Sequence, residues 1–142
     1  MLRLRKLEPS DLPFLYLWEN DAAAWSFSST HNPLSHQDLR EYIASTTGDI
    51  YRDGQLRLML EEDGALLGCI DLFDFDARNR KAAIGMYVSP EARGRGIGHE
   101  AVRLLLDYAF GFLHLRMVYA IIAVSNTSCS HIYESHGFAP SS

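Results

Sequence analysis

The segment Val88-Ser89-Pro90-Glu91-Ala92-Arg93-Gly94-Arg95-Gly96-Ile97-Gly98-His99-Glu100 constrains this chain more than any other. It joins an apolar run, 81–88, to a strongly amphipathic one, 98–113. In the second run Val102, Leu105, Leu106, Ala109, Phe110 and Leu113 recur at the three-and-four spacing of one buried helical face. Glycines at 94, 96 and 98 permit tight backbone conformations and close approach of a ligand. The helix that follows offers unpaired N–H groups and the positive end of its dipole, and Arg93 and Arg95 stand beside it. Together these features make an anion site suited to a pyrophosphate. A nucleotide P-loop is excluded, because no Lys-Ser/Thr pair follows the glycines. A dinucleotide fingerprint fits poorly: the glycines read G-x-G-x-G, and no acidic residue ends a second strand at the required distance.

The rest of the chain supplies the frame for that loop. Residues 2–7 alternate as a strand, and Pro9-Ser10 opens a helix with Ser10 as N-cap and Asp11 in the first turn. Residues 20–34 read as a loop holding Trp25 and Phe27. Ser35-His36-Gln37-Asp38 has the form of a capping box, followed by a buried stripe of Leu39, Tyr42 and Ile43. In 55–61 the residues Leu56, Leu58 and Leu60 share one face of a strand. Asp63-Gly64 is a hairpin turn signal, 65–75 a second strand and 81–88 a third. Strand 117–124 should lie parallel to 81–88, and a last helix over 128–136 stops at Gly137. This order predicts an α/β fold with a mixed sheet.

At 142 residues, with 47% hydrophobic side chains, the chain can build one domain around one core. A formal net charge of -5 argues against nucleic acid as a partner, which calls for a basic surplus. It suits cationic substrates. The two cysteines, Cys69 and Cys129, give no disulfide framework, which points to the cytoplasm. No signal-peptide core and no membrane-length apolar run is present. Cys129-x-His131 lacks a second ligand pair, so no metal site is expected. His36, His99, His114 and His136 read as surface or capping residues.

The run Arg93-Gly94-Arg95-Gly96-Ile97-Gly98 resembles the acetyl-CoA pyrophosphate motif of the GNAT superfamily of N-acyltransferases, (Q/R)-x-x-G-x-(G/A). Leu67-Gly68, Asn126 and Tyr133-Glu134-Ser135-His136-Gly137-Phe138 match other recurrent positions, so the resemblance spans nearly the whole chain. It is nearest to the subgroup of bacterial spermidine and ribosomal-protein alanine acetyltransferases. The resemblance implies a mostly antiparallel central sheet flanked by helices, and acetyl transfer from acetyl-CoA to a primary amine, small or peptidic. It places the cosubstrate on Tyr87, Val88, Arg93, Gly94, Arg95, Gly96, Ile97, Gly98, His99 and Asn126. A bulge in strand 83–88, eased by Gly85, would expose N–H groups to the pantetheine and thioester.

Tyr133 takes the position of the general acid that protonates the leaving thiolate; read without the resemblance, it is a packing tyrosine. Asn126 is equally an N-cap or a donor to the pantetheine arm. Many relatives carry a general-base Glu on the strand before the loop, where Ala83 stands here. Asp71, Asp74 and Asp76 are the nearest acids. By alternation Asp71 faces away from the other two unless a bulge intervenes. Acids at similar positions in the polyamine enzymes of the family make Asp71 the first candidate to orient or deprotonate the amine; Asp74 and Asp76 are expected to be exposed, and a water chain is the other route for the proton. Trp25 and Phe27 would shape the acceptor pocket or plug the core. The rival reading is a non-catalytic acyl-CoA-binding module. Relatives continue past Gly137-Phe138 with two strands, but only Ala139-Pro140-Ser141-Ser142 follow here. Strand 117–124 would then be an apolar edge, in a truncated relative or, more economically, in a homodimer whose partner covers it.

Overall fold

The computed structural model describes residues 1–20, 35–120 and 127–139, the side chains of 127–130 excepted. Among the described residues five strands form one sheet, in the order β1 (Leu2–Lys6), β2 (Leu56–Glu62), β3 (Ala65–Asp76), β4 (Lys81–Val88) and β5 (Met117–Tyr119). Neighbours are antiparallel except β4 and β5, which run parallel, as the strand–helix–strand order requires. The β2–β3 turn puts Asp63 at φ 52° and Gly64 at φ 83°, the two positive angles of the tight hairpin turn that Asp-Gly favours.

Alternation sorts the side chains onto two faces. Leu56, Leu58 and Leu60 of β2, Ile70 and Leu72 of β3, and Ala82, Ile84 and Met86 of β4 form the larger core. Ile97, Ala101, Val102 and Leu105 of α4 (Ile97–Leu106) cover it, with Tyr133 of α5 (Thr127–Ser135). Met59, Cys69 and Tyr87 face the other way. They pack under Leu15 and Trp18 of α1 (Leu12–Glu19) and Leu39 and Ile43 of α2 (His36–Ser45).

The cap of α2 forms as read: Ser35 Oγ accepts the Asp38 N–H at 3.0 Å, and Asp38 accepts the Ser35 N–H at 3.0 Å. The first helix differs from expectation. Its entry is a 3₁₀ turn over Pro9–Asp11 capped by Glu8, not Ser10. Asp11 accepts the Glu8 N–H at 2.8 Å and is itself buried, held by both terminal nitrogens of Arg5 at 3.0 and 2.8 Å. A one-turn helix α3 (Ile50–Asp53), which no apolar period signals, buries Ile50 and ends at Gly54 in the left-handed region.

The helix after the glycine loop also departs from a plain 3.6 period. Beyond Leu106 it widens into a π-helical turn over Asp107–Phe112, in which the Leu113 N–H reaches back to the Tyr108 carbonyl. The extra residue per turn slips the stripe. Ala109 stays buried while Phe110, expected inside, is 45% exposed.

Candidate active site

The loop after β4 is built to leave backbone open. Pro90–Ala92 make a tight turn, and Gly94 (φ 82°) and Gly96 (φ 76°) take left-handed conformations in which other residues are strained. Gly96 is the N-cap of α4, and its carbonyl accepts the first helical N–H, that of Glu100, at 3.2 Å. The amides of Ile97, Gly98 and His99 therefore precede the helix's own bonding and point from its positive end. A Cβ on Gly94 or Gly96 would meet nothing within 4 Å, so this backbone faces open space.

Gly98 differs from the other two, contrary to a shared role in loop flexibility. It is an ordinary buried helical residue, and a Cβ there would lie 3.0 Å from Ile132 Cδ1 and 3.4 Å from Met86 Cε. It is the contact that lets α5 lie close on α4. The next residue of α5 is Tyr133, buried in the larger core with its ring tilted against Phe138, centroids 5.1 Å apart. His99 Nδ1 lies 3.3 Å from Ser135 Oγ, tying the loop's edge to the same helix.

Both loop arginines are braced by protein. Arg93 donates from Nε to the Val88 carbonyl at 3.0 Å, and its guanidinium sits 5.7 Å from the Tyr87 ring centroid. Arg95 reaches Glu62 at 2.8 Å across the sheet end. They hold the loop to β4 and β2 while remaining exposed at its rim.

The strand bulge expected around Gly85 is not in the β3–β4 register, which runs unbroken from Gly68–Val88 to Phe73–Ala83. The irregularity falls between Phe73 and Asp76, where Asp74 takes φ 49°. Asp74 is exposed, and Asp76 accepts from the backbone and side chain of Asn79. Gly68 marks another special point: a Cβ there would fall 2.0 Å from the Tyr87 carbonyl oxygen, so only glycine allows β3 and β4 this approach. The β4–β5 pairing described covers Lys81–Ala83 alone.

Asp71 lies on the α1–α2 face, opposite to Tyr133. Arg57, its partner across β2–β3, grips it side-on, with Nε–Oδ1 at 2.9 Å and Nη2–Oδ2 at 2.7 Å. The third nitrogen of Arg57 donates to Glu19 of α1. Two carboxylates on one largely buried guanidinium hold its pKa well above the ordinary value, against the opposing effect of burial. The Tyr42 ring lies 5.7 Å from that guanidinium, and burial pushes its hydroxyl pKa up to about 12. Burial also pushes the Cys69 thiol up, so it is no nucleophile. Sequence reasoning missed Arg57 and Glu19. The available signal was a cation at 57 between Leu56 and Leu58, on the strand face they do not use.

The structure thus brings Val88, residues 93–99 and α5 together, and places the Tyr87 side chain on the other face of the sheet, the one that carries Asp71. Asn126, Trp25 and Phe27 lie outside the described residues. Among the described residues no group of three or more His, Cys, Asp or Glu is arranged to hold a metal ion, and no helix is long and apolar enough to cross a membrane.

A strand leading into an open glycine loop on a helix N-terminus makes an anion site of the kind a pyrophosphate occupies. The family described as acetyltransferase (GNAT) domain matches residues 1–139, and the chain belongs to it. Spermidine N(1)-acetyltransferase of Escherichia coli K12 is 28% identical over 138 residues, covering 97% of this chain and 73% of that protein. A putative ribosomal N-acetyltransferase of Bacillus subtilis is 35% identical over 142 residues, covering 96% and 77%. The crystal structure of spermidine N-acetyltransferase from Vibrio cholerae with CoA and spermine superposes with a TM-score of 0.89. It is 28% identical, and the match covers 99% of this chain and 82% of that one. The chain is an acetyl-CoA-dependent N-acetyltransferase. The comparisons give no support to a non-catalytic module.

Proposed function

We propose that this chain acetylates a small cationic primary amine of the polyamine kind, in a ternary complex with acetyl-CoA. The open backbone at Gly94 and Gly96 on the N-terminus of α4 is the observation that carries the cosubstrate half. There the amides of Gly94 to His99 would hold the pyrophosphate, with Arg93 and Arg95 as its basic rim. The pantetheine arm would run back along β4 past Val88 and Tyr87, with Asn126 donating to it. The neutral amine attacks the carbonyl carbon, backbone N–H groups of β4 stabilise the oxyanion, and Tyr133 gives its proton to the departing sulfur.

Asp71 serves to orient the amine rather than to deprotonate it. Both its oxygens already accept from Arg57, and the lone pairs left over can take one more donor each. No carboxylate stands at Ala83, so the ammonium proton leaves through water. The named activity of the relatives supports the polyamine class. A peptide N-terminus is the second reading, favoured by the similarity to the ribosomal enzyme.

The free Cys69 suits a reducing cytoplasm. β5 ends the described sheet with Met117 54% exposed, which supports a homodimer joined at that edge. Light scattering would test the dimer. Thiol release from acetyl-CoA with spermidine, spermine, an aminoglycoside and alanine-ended peptides tests the acceptor. Turnover with polyamines well above the rest is the expected result, and no thiol release from any amine would overturn it.

A further inference from the structure

Arg57, Asp71 and Gly85 are cross-strand partners in one row over β2, β3 and β4. The row lies on the α1–α2 face, beside the row Met59, Cys69 and Tyr87. Tyr87 carries the braced Arg93 of the cosubstrate loop. The row's β4 end has no side chain, because it is Gly85, and Ala83 two residues along is the smallest alternative. Asp71 is thus the cross-strand neighbour, on β3, of the stretch of β4 where the transferred acetyl would lie. Its carboxylate is 20% exposed, the most open of its cluster, while Arg57 and Glu19 behind it are 12% and 8% exposed.

A two-bond side chain on a strand has several rotamers, and a lone Asp would sample them. Here the planar guanidinium takes both oxygens in a fork, which fixes the plane of the carboxylate as well as its position. Glu19 fixes the guanidinium from behind, and Tyr42 lies against it. Lysine could supply the charge but not the fork.

We propose that Arg57 is a positioning residue for the amine acceptor, acting through Asp71, with Glu19 as its anchor. This rests on the polyamine-type acetyl transfer proposed above. Arg57 touches neither substrate. It sets where the acceptor nitrogen is held relative to the thioester. Loss of the fork raises the acceptor KM and leaves acetyl-CoA binding alone.

The test is a double-mutant cycle on the intact chain, with Arg57→Gln, Asp71→Asn and both together, plus Arg57→Lys. Spermidine is the acceptor, and KM and kcat are measured for each substrate. If spermidine is not turned over, the best acceptor of the panel replaces it. Asp71→Asn and Arg57→Gln are each expected to raise the amine KM about tenfold or more, the loss of one charge-assisted contact. The double variant should be little worse than either single one, and Arg57→Lys should restore stability more than KM. Additive effects on KM, or an equal rise in the acetyl-CoA KM, would overturn the positioning role while leaving the acetyltransferase reading intact. A wild-type protein that acetylates no amine sinks that reading and this one with it. If Arg57→Gln does not fold, Glu19→Gln keeps the question open to refutation: it should raise the amine KM in the wild-type background and not in Asp71→Asn, and an equal rise in both counts against the proposal.

Discussion

Gly96→Ala separates the conformation of the cosubstrate loop from its packing. Gly96 sits at φ 76° with nothing within 4 Å of a Cβ, so the methyl group meets no neighbour and the cost is conformational. Holding an L-residue in the left-handed region costs about 1–2 kcal/mol. At this chain length each kcal/mol moves Tm by about 3–5 °C, so a fall of about 3–10 °C is expected. The alternative to paying that strain is rotation of the peptide, which would turn the first amides of α4 away from an anion. Each amide lost to a charged oxygen is worth about 1.5–3 kcal/mol, so CoA affinity should fall about 10–100-fold. Calorimetric titration of CoA and a thermal melt on the same preparation give both numbers. A lowered Tm with unchanged CoA affinity would show that the strain is real but that the loop is not the pyrophosphate site, and that outcome refutes the reasoning.

Tyr133→Phe should lower kcat about 10²-fold with the acetyl-CoA KM little changed, the low end of acid catalysis because a thiolate is a modest base; steady-state kinetics with chemistry limiting will decide, and equal turnover removes the acid role. Gly98→Ala places a methyl 3.0 Å from Ile132 Cδ1. Since that neighbour is a flexible side-chain end, the protein should fold, lose about 1 kcal/mol in denaturant titration and lose turnover through the displaced Tyr133, with CoA affinity retained. Acid should destabilise the fold through Asp38, Asp53, Glu61, Asp76 and Glu100. Hydrogen bonds hold each of their pKa values below the ordinary 3.8 or 4.5. Carboxylates with a lowered folded pKa stabilise above the unfolded value and lose that contribution as pH falls through the folded one. Denaturant midpoints should therefore be flat near neutrality and drop below about pH 4.5, and Asp53→Asn should flatten part of the drop; a midpoint that rises on acidification would contradict the assignment.

What the chain discloses by itself depends on how local each determinant is. The Ser35–Asp38 box, the Asp63-Gly64 turn and the loop from Arg93 to Gly98 are each complete within a few residues, so their chemistry can be read directly. The entry to α1 is less local. Pro9 removes an N–H and shifts the cap to Glu8, while the partner that makes Asp11 indispensable is Arg5, on a strand. The π-turn at Asp107 has no proline or glycine announcing it at its start, and it turned Phe110 outward against a sound helical period. The bulge that Gly85 suggests in β4 is absent from the β3–β4 register, and the irregularity that this register does show lies in β3 at Asp74. The cluster around Arg57 joins residues 38 and 14 positions away from it, a distance over which sequence pattern carries no pairing information.

The absent carboxylate at Ala83 follows from the same cluster. Ala83 and Gly85 lie on one face of β4, opposite Phe73 and Asp71 of β3. A glutamate at 83 would be the diagonal neighbour of Asp71, within about 7–8 Å, and a third carboxylate beside Asp71 and Glu19 with one guanidinium between them. Like charges crowded in a partly buried site disfavour ionisation of one member, and the amine would then meet a protonated acid. With the charge placed on β3, Arg57 can hold it oriented through both its oxygens. On the proposed reading, the small residues at 83 and 85 leave the amine room to lie between that carboxylate and the carbonyl it attacks. On the same reading, the arrangement gives up an internal base and gains a fixed anchor for a cation. Such an exchange suits an acceptor whose own charges do the recognising.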